Sequence, residues 1–191
     1  GILDDVRIYN RALSAAEITN LYQSGSAKLN TSQNSKVTNG LVGLWSFNGP
    51  DMSGNTAYDR STSGNNGTLT NGPVRAIGKV GQGLSFDGTD DYIGMPSAAT
   101  TVIDNYTMAA WIYPANLNQL GMAVTNGLDD AVSAVYKGYA FGLGDGAGGA
   151  GGKLLGLLHN IAWLDSGYTF PQVNAWYYVV MLRSNGTTKF Y

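Results

Sequence analysis

The segment GILDDVRIYNRALSAAEITNLYQSG, Gly1–Gly25, reads as a short strand, a sharp stop, one capped helix and a glycine. Leu3–Tyr9 is β-rich. Strict alternation places Asp4, Val6 and Ile8 on one face and Leu3, Arg7 and Tyr9 on the other. A carboxylate beside Val6 and Ile8 is out of place unless that face is a solvated edge or the carboxylate has a partner. Ser14 and Glu17 stand in the S-x-x-E spacing of a capping box, with Leu13 and Ile18 at the positions of a hydrophobic staple. Ile18, Leu21 and Tyr22 form an apolar helix face, and Ser24-Gly25 supplies the stop. Such a strand and helix suit the end of a domain, yet they stand first and no methionine precedes them. At the other end, Thr187–Tyr191 (TTKFY) stops inside a strand-like run. The expectation is a segment cut from a longer polypeptide.

Outward from this segment, Ser26–Asn39 (SAKLNTSQNSKVTN) is polar, lacks aromatics and reads as a linker. Strand-like runs then recur between turn residues: Leu41–Phe47, short pieces at Thr56–Asp59 and Gly67–Leu69, then Gly83–Phe86 and Asp91–Met95 about the turn Asp87-Gly88. Tyr106–Tyr113 (YTMAAWIY) alternates, with Met108, Ala110 and Ile112 facing one way and Ala109 and Trp111 the other; Pro114 ends it. Ala134–Leu143, Lys153–His159 and Trp176–Arg183 follow. A weak helix pattern spans Leu128–Val135. The sum is an all-β chain: an antiparallel β-sandwich of the jelly-roll type, incomplete, with one short helix near the N-terminus.

Composition agrees. Charged residues are 13% of the 191, about half the usual share, and polarity comes from Asn, Ser, Thr and 27 Gly. A formal charge of −2 gives no electrostatic case for nucleic acid or an anionic membrane. With no cysteine there is no disulfide, thiolate zinc site or thiol nucleophile. No apolar run approaches the ~18 residues of a membrane helix.

Six blocks carry a family resemblance. LVGLWSF, AYDRSTSGNNGTLTNGP, GKVGQGLSFDGTDDYIGMP, YTMAAWIYP and NAWYYVVMLRSNGTTKFY occur in the order found in laminin-G-like, concanavalin-A-like jelly rolls. GILDDVRIYNRALSAAEI resembles the closing strand and helix of that family, and of the pentraxins. Its leading position has two explanations. One is a tandem array, with residues 1–25 closing a preceding repeat, 26–40 a linker, and 41–191 the first three quarters of a second repeat. The other is a circular permutant. The resemblance places first and last strands side by side, so Leu3–Tyr9 is expected to dock antiparallel to Leu41–Phe47.

Catalysis is poorly supported. Jelly-roll glucanases use a carboxylate pair about 5–9 Å apart. This chain has one glutamate, Glu17, already engaged in the capping box. The neighbours Asp90-Asp91 and Asp129-Asp130 would point to opposite faces of a strand. The single histidine, His159, ends an apolar run and reads as structural. Gly142–Gly152 (GLGDGAGGAGG) precedes Lys153, but Leu154 follows and no helix begins, so this is a mobile inter-strand loop and not a phosphate loop.

Asp59, Ser61 and Ser63 before Gly64 resemble the first half of a calcium loop, although Thr70 at the twelfth position lacks the carboxylate of an EF-hand. Ordinary turn chemistry gives the same pattern. In related jelly rolls a calcium ion ties the early loop to the closing strand. Carried over, this implies a structural Ca2+ held by Asp4, Asp59 and Asn65. Asp87, Asp90 and Asp91 read first as a hairpin turn, with a cation as the alternative.

Sugar rings stack on exposed aromatics flanked by polar groups. Trp45, Trp111 and Trp176 lie in strand patterns, whereas Trp163 lies in the turn-rich stretch HNIAWLDSGYTFP. Asn160, Trp163 and Tyr168, near Asp165, are therefore the candidate ligand-binding residues. These readings converge on a non-catalytic carbohydrate-binding module of a larger secreted or cell-surface protein, located outside the cell. Its partners would be a glycan or surface protein and the remaining repeats; any catalytic domain would lie elsewhere in the parent. A structural or adhesive repeat is the alternative, and a glycoside hydrolase of the same fold is disfavoured by the missing carboxylates.

Overall fold

A computed structural model of the chain describes residues 1–26, 37–95, 105–126, 138–158 and 162–191. The helix pattern at Leu128–Val135, His159, Asn160 and most of the linker lie outside the described residues.

Strand β1 (Ile2–Tyr9) occupies the middle of the larger sheet. Its C-terminal half pairs antiparallel with β2 (Leu41–Trp45), Val6 opposite Trp45 and Arg7 opposite Leu44, as expected for closing and opening strands. Its N-terminal half pairs with β7 (Gln82–Ser85), which in turn pairs with β6 (Val74–Ile77). Along its other edge runs β9 (Tyr106–Tyr113), followed by β14 (Tyr177–Ser184) and β15 (Thr187–Phe190), completing seven strands. The opposing layer is in two parts. One orders β10 (Gly121–Asn126), β11 (Tyr139–Gly144), β12 (Lys153–Leu158) and β13 (Ala162–Thr169). The other orders β3 (Met52–Ser53), β4 (Thr56–Ala57), β5 (Gly67–Thr70) and β8 (Tyr92–Gly94). Among the described residues all pairings are antiparallel, and the fold is the expected jelly-roll sandwich.

Alternation in β9 sorts the two cores. Met108, Ala110 and Ile112 join Val6, Ile8, Trp45 and Met181 against Phe141, Leu154 and Leu158 from the opposing layer. The Tyr106 and Tyr139 rings stack there at 3.8 Å between centroids. Ala109, with Tyr9, Val180 and Leu182, faces the other way, and α1 (Ala15–Ser26) covers them with Ile18 and Leu21. Burying each of those two helix side chains stabilises by about 1.5–3 kcal/mol.

The capping box forms as its spacing requires. The Glu17 N–H donates to Ser14 Oγ at 3.3 Å, and the Ser14 N–H donates to Glu17 Oε2 at 2.8 Å. Leu13 and Ile18 meet in the helix-side core, completing the staple. Arg11 adds an ion pair to Glu17 and donates from Nε to the Asn39 carbonyl at 2.8 Å, tying the helix start to the entry of β2. The Arg11 and Ser14 hydrogen bonds pull the Glu17 carboxyl down to about 2.

Strict alternation fails in β1. Between Asp4 and Arg7 the register against β9 slips: Asp4 stands opposite Trp111 and Arg7 opposite Ala109. Asp5 adopts a left-handed φ of 50° inside this bulge. One extra residue moves Asp4 off the Val6/Ile8 face and onto the Trp111 face, which corrects the sequence expectation. The bulged backbone is steadied by Arg7, whose Nη2 donates to Asp5 Oδ1 and Oδ2 at 3.1 and 3.0 Å.

Four strands escape a pattern search, and β3, at two residues, is too short to carry a period. β6 and β13 are edge strands whose side chains are mostly exposed, so no apolar period marks them. β10 is a short run beginning at a glycine.

Candidate functional site

The Asp59 loop is built by hydrogen bonds to one carboxylate. Oδ1 accepts from the N–H groups of Leu44 and Ser61 at 2.9 and 2.8 Å. Oδ2 accepts from Ser61 Oγ and the Asn65 N–H at 2.7 and 2.9 Å. Asn65 Nδ2 donates to the Val42 carbonyl at 2.8 Å, and its own carbonyl accepts from Trp45 Nε1 at 3.0 Å. The loop is thus stitched along β2.

Asp4 does not join it. Its Oδ2 accepts from the Val80 N–H at 2.7 Å, in the turn between β6 and β7. Leu44, where Asp59 is anchored, stands opposite Arg7, three residues and roughly 10 Å along the strand from Asp4. The expected calcium ligands Asp4, Asp59 and Asn65 therefore do not fit a calcium ion. Four N–H or O–H donors already fill the Asp59 lone pairs, and a cation competes for those same positions. Turn chemistry, the alternative reading of D-x-S-x-S-G, is what the loop uses.

Asp4 is instead a buried latch. Its side chain is fully buried, and Oδ1 has no hydrogen-bond partner among the described residues. A Cβ at Gly78 would lie 2.7 Å from its Oδ2, so only glycine lets the turn close over the carboxylate. Lys79 of the same turn places Nζ 4.9 Å from the Trp111 ring centroid. Burial pushes the Asp4 carboxyl up to about 7, against the Val80 hydrogen bond.

Asp87, Asp90 and Asp91 do gather, their carboxylate oxygens within 4.8 Å of one another. They brace the hairpin turn: the Thr89 N–H donates to Asp87 Oδ1 at 2.7 Å and the Asp87 N–H to Asp91 Oδ2 at 2.9 Å. The chain's one glutamate is spent in the capping box.

Trp163 stands on β13, opposite Leu157, on the face away from the core and 37% exposed. Its backing is the glycine-rich loop. At Gly148, where φ is +93°, a Cβ would lie 2.6 Å from the indole nitrogen. Two residues along β13, Asp165 lies against Gly146 in the same way, with Cγ 2.8 Å from where a Cβ would be. The loop is shaped by Asp145, whose Oδ1 accepts the Ala147 and Gly149 N–H groups at 2.7 and 2.8 Å. Those bonds hold the Asp145 carboxyl below its usual range. Lys153 begins β12 and pairs with Asp165 at 2.6 Å, which holds the Asp165 carboxyl low. The glycines thus serve the indole and not a phosphate.

Trp163 and Asp165 come together with Lys153, a residue weighed in the sequence only as a phosphate ligand. Tyr168 stands apart, beyond a bend where Gly167 takes a φ of +77°. It is 45% exposed and its ring edge rests on Phe170 at 5.4 Å. Among the described residues no ring contact joins it to Trp163. Asn160 lies outside the described residues.

No helix of the described residues is long and apolar enough to cross a membrane. A search of curated proteins returned no match, and neither did a search of solved structures. A laminin G family model, described as the concanavalin A-like lectin/glucanases superfamily, matches residues 87–191, from the Asp87 turn through β15. That match covers more than half of the chain, in agreement with the antiparallel sandwich, and the chain belongs to this superfamily.

Proposed function

We propose that the chain is a non-catalytic glycan-binding module, with the outer face of β12 and β13 as its sugar site, in a protein that works outside the cell. The observation that carries this is the seating of Trp163. A half-exposed indole is held on a strand, backed by Gly148, beside a charged pair of hydrogen-bonding groups. Sugar C–H faces stack on such a platform, while the Asp165 carboxylate and Lys153 ammonium bond hydroxyls. Placement on a strand holds the platform more firmly than a loop would. Tyr168, exposed farther along the same strand, offers a second and separate stacking ring.

A glycan array followed by titration calorimetry on the best hit tests this. Trp163→Ala is expected to weaken binding at least tenfold, and Asp165→Asn severalfold, with circular dichroism unchanged. Unaltered affinity in Trp163→Ala would remove the platform. Absence of binding to every glycan would favour a structural or adhesive repeat.

A further inference from the structure

The layer opposite the large sheet is split, and the split has a definite shape. β8 pairs only with β5, and β10 only with β11, so among the described residues each keeps one unpaired edge. Both edges line the same cavity, about 390 Å³ in volume. Its floor is the inner face of the large sheet, with Val6, Ile8, Trp45 and Ile112. Ile93 and Met95 on one side, and Ala123 and Val124 on the other, pack on the core yet stay only partly buried.

We propose that an extended polypeptide strand, apolar at every second residue, inserts between β8 and β10 and joins the two four-stranded sheets into one layer. Two unpaired edges present rows of N–H and C=O groups, which are a template for a strand. A compact apolar molecule would fill the floor and leave those groups unpaired. An inserted strand continues both ladders, sending alternate side chains down onto Trp45 and Ile112 and the others out to water. The rim adds a charge requirement. Asp91 lines the cavity and stands with Asp87 and Asp90, so a lysine or arginine at one end of the strand is matched. This inference is independent of the sugar site on the far face of β13.

The test uses the whole chain and a synthetic heptapeptide, Thr-Val-Thr-Ile-Thr-Val-Lys, with a twin carrying proline at its fourth position. Amide hydrogen exchange is read at Tyr92–Gly94 and Gly121–Thr125. The peptide is expected to slow exchange at both strands at least tenfold, and the twin to leave both unchanged. Val124→Asp, at the cavity wall, should abolish the effect; the proline twin makes the same distinction on the unaltered chain. Protection equal for both peptides, protection at neither strand, or amides already protected in the chain alone would overturn the proposal. So would a self-associated chain protecting the same amides, since the occupant would then be a second copy.

Discussion

Asp4 shows how one side chain sets a pH dependence. Its neighbours are the Val80 and Lys79 N–H groups, the Asp5 carboxylate and, over Trp111, the Lys79 ammonium. Burial is the largest influence and raises its folded pKa from 3.8 to about 7. The folded state therefore binds a proton that the unfolded state has already lost between those values. Stability should fall as pH rises from about 4 to 7, by at most about 4 kcal/mol at 1.36 kcal/mol per unit. Thermal melts of the wild type are expected to show this decline, and Asp4→Asn to flatten it, with a higher Tm than wild type at pH 8. A Tm that rises with pH across this window in the wild type would show that Asp4 is not the controlling group. Asp59 is the contrasting case, its two carboxylate oxygens each accepting from two donors. Asp59→Ala strands four N–H or O–H groups and is expected to cost about 3 kcal/mol. Equal loss of Tm in calcium and in chelator is the expected pattern; a loss seen only in calcium would restore a metal to this loop.

At the scale of elements, local chemistry was legible wherever neighbours in sequence are neighbours in space. The capping box is such a case, and Ser14→Ala is expected to lower stability by about 1 kcal/mol in denaturant titration. The antiparallel seat of β1 on β2 was legible too. What alternation could not reveal is the bulge at Asp5, because one added residue is invisible until the partner strand is known. That single slip moved Asp4 to the other face and dissolved the calcium set inferred from family resemblance. The glycine-rich loop was misread for a similar reason. Its composition suggests mobility, but Gly146 and Gly148 are demanded by Asp165 and Trp163, which approach from a strand many residues later. Gly148→Ala is therefore expected to displace the indole, lowering glycan affinity severalfold and stability by about 1 kcal/mol or more. Calorimetry on that variant separates a positioned platform from an incidental exposed tryptophan, since the latter would keep its affinity.

For the whole molecule, β1 is the organising element. It touches β2, β7 and β9, carries the bulge that seats Asp4, and leads into the helix that covers the outer face of β9 and β14. A strand at the head of the chain thus holds together segments from Leu41 to Tyr113, and the helix it leads into packs on Val180 and Leu182 of β14. Native-state amide hydrogen exchange tests this directly at Val6–Tyr9. The account predicts that these amides exchange among the slowest in the molecule and only through global unfolding, with the same free energy as Met108–Ala110 of β9. Exchange of Val6–Tyr9 at the rate of frayed termini, while β9 and β14 remain protected, would contradict it.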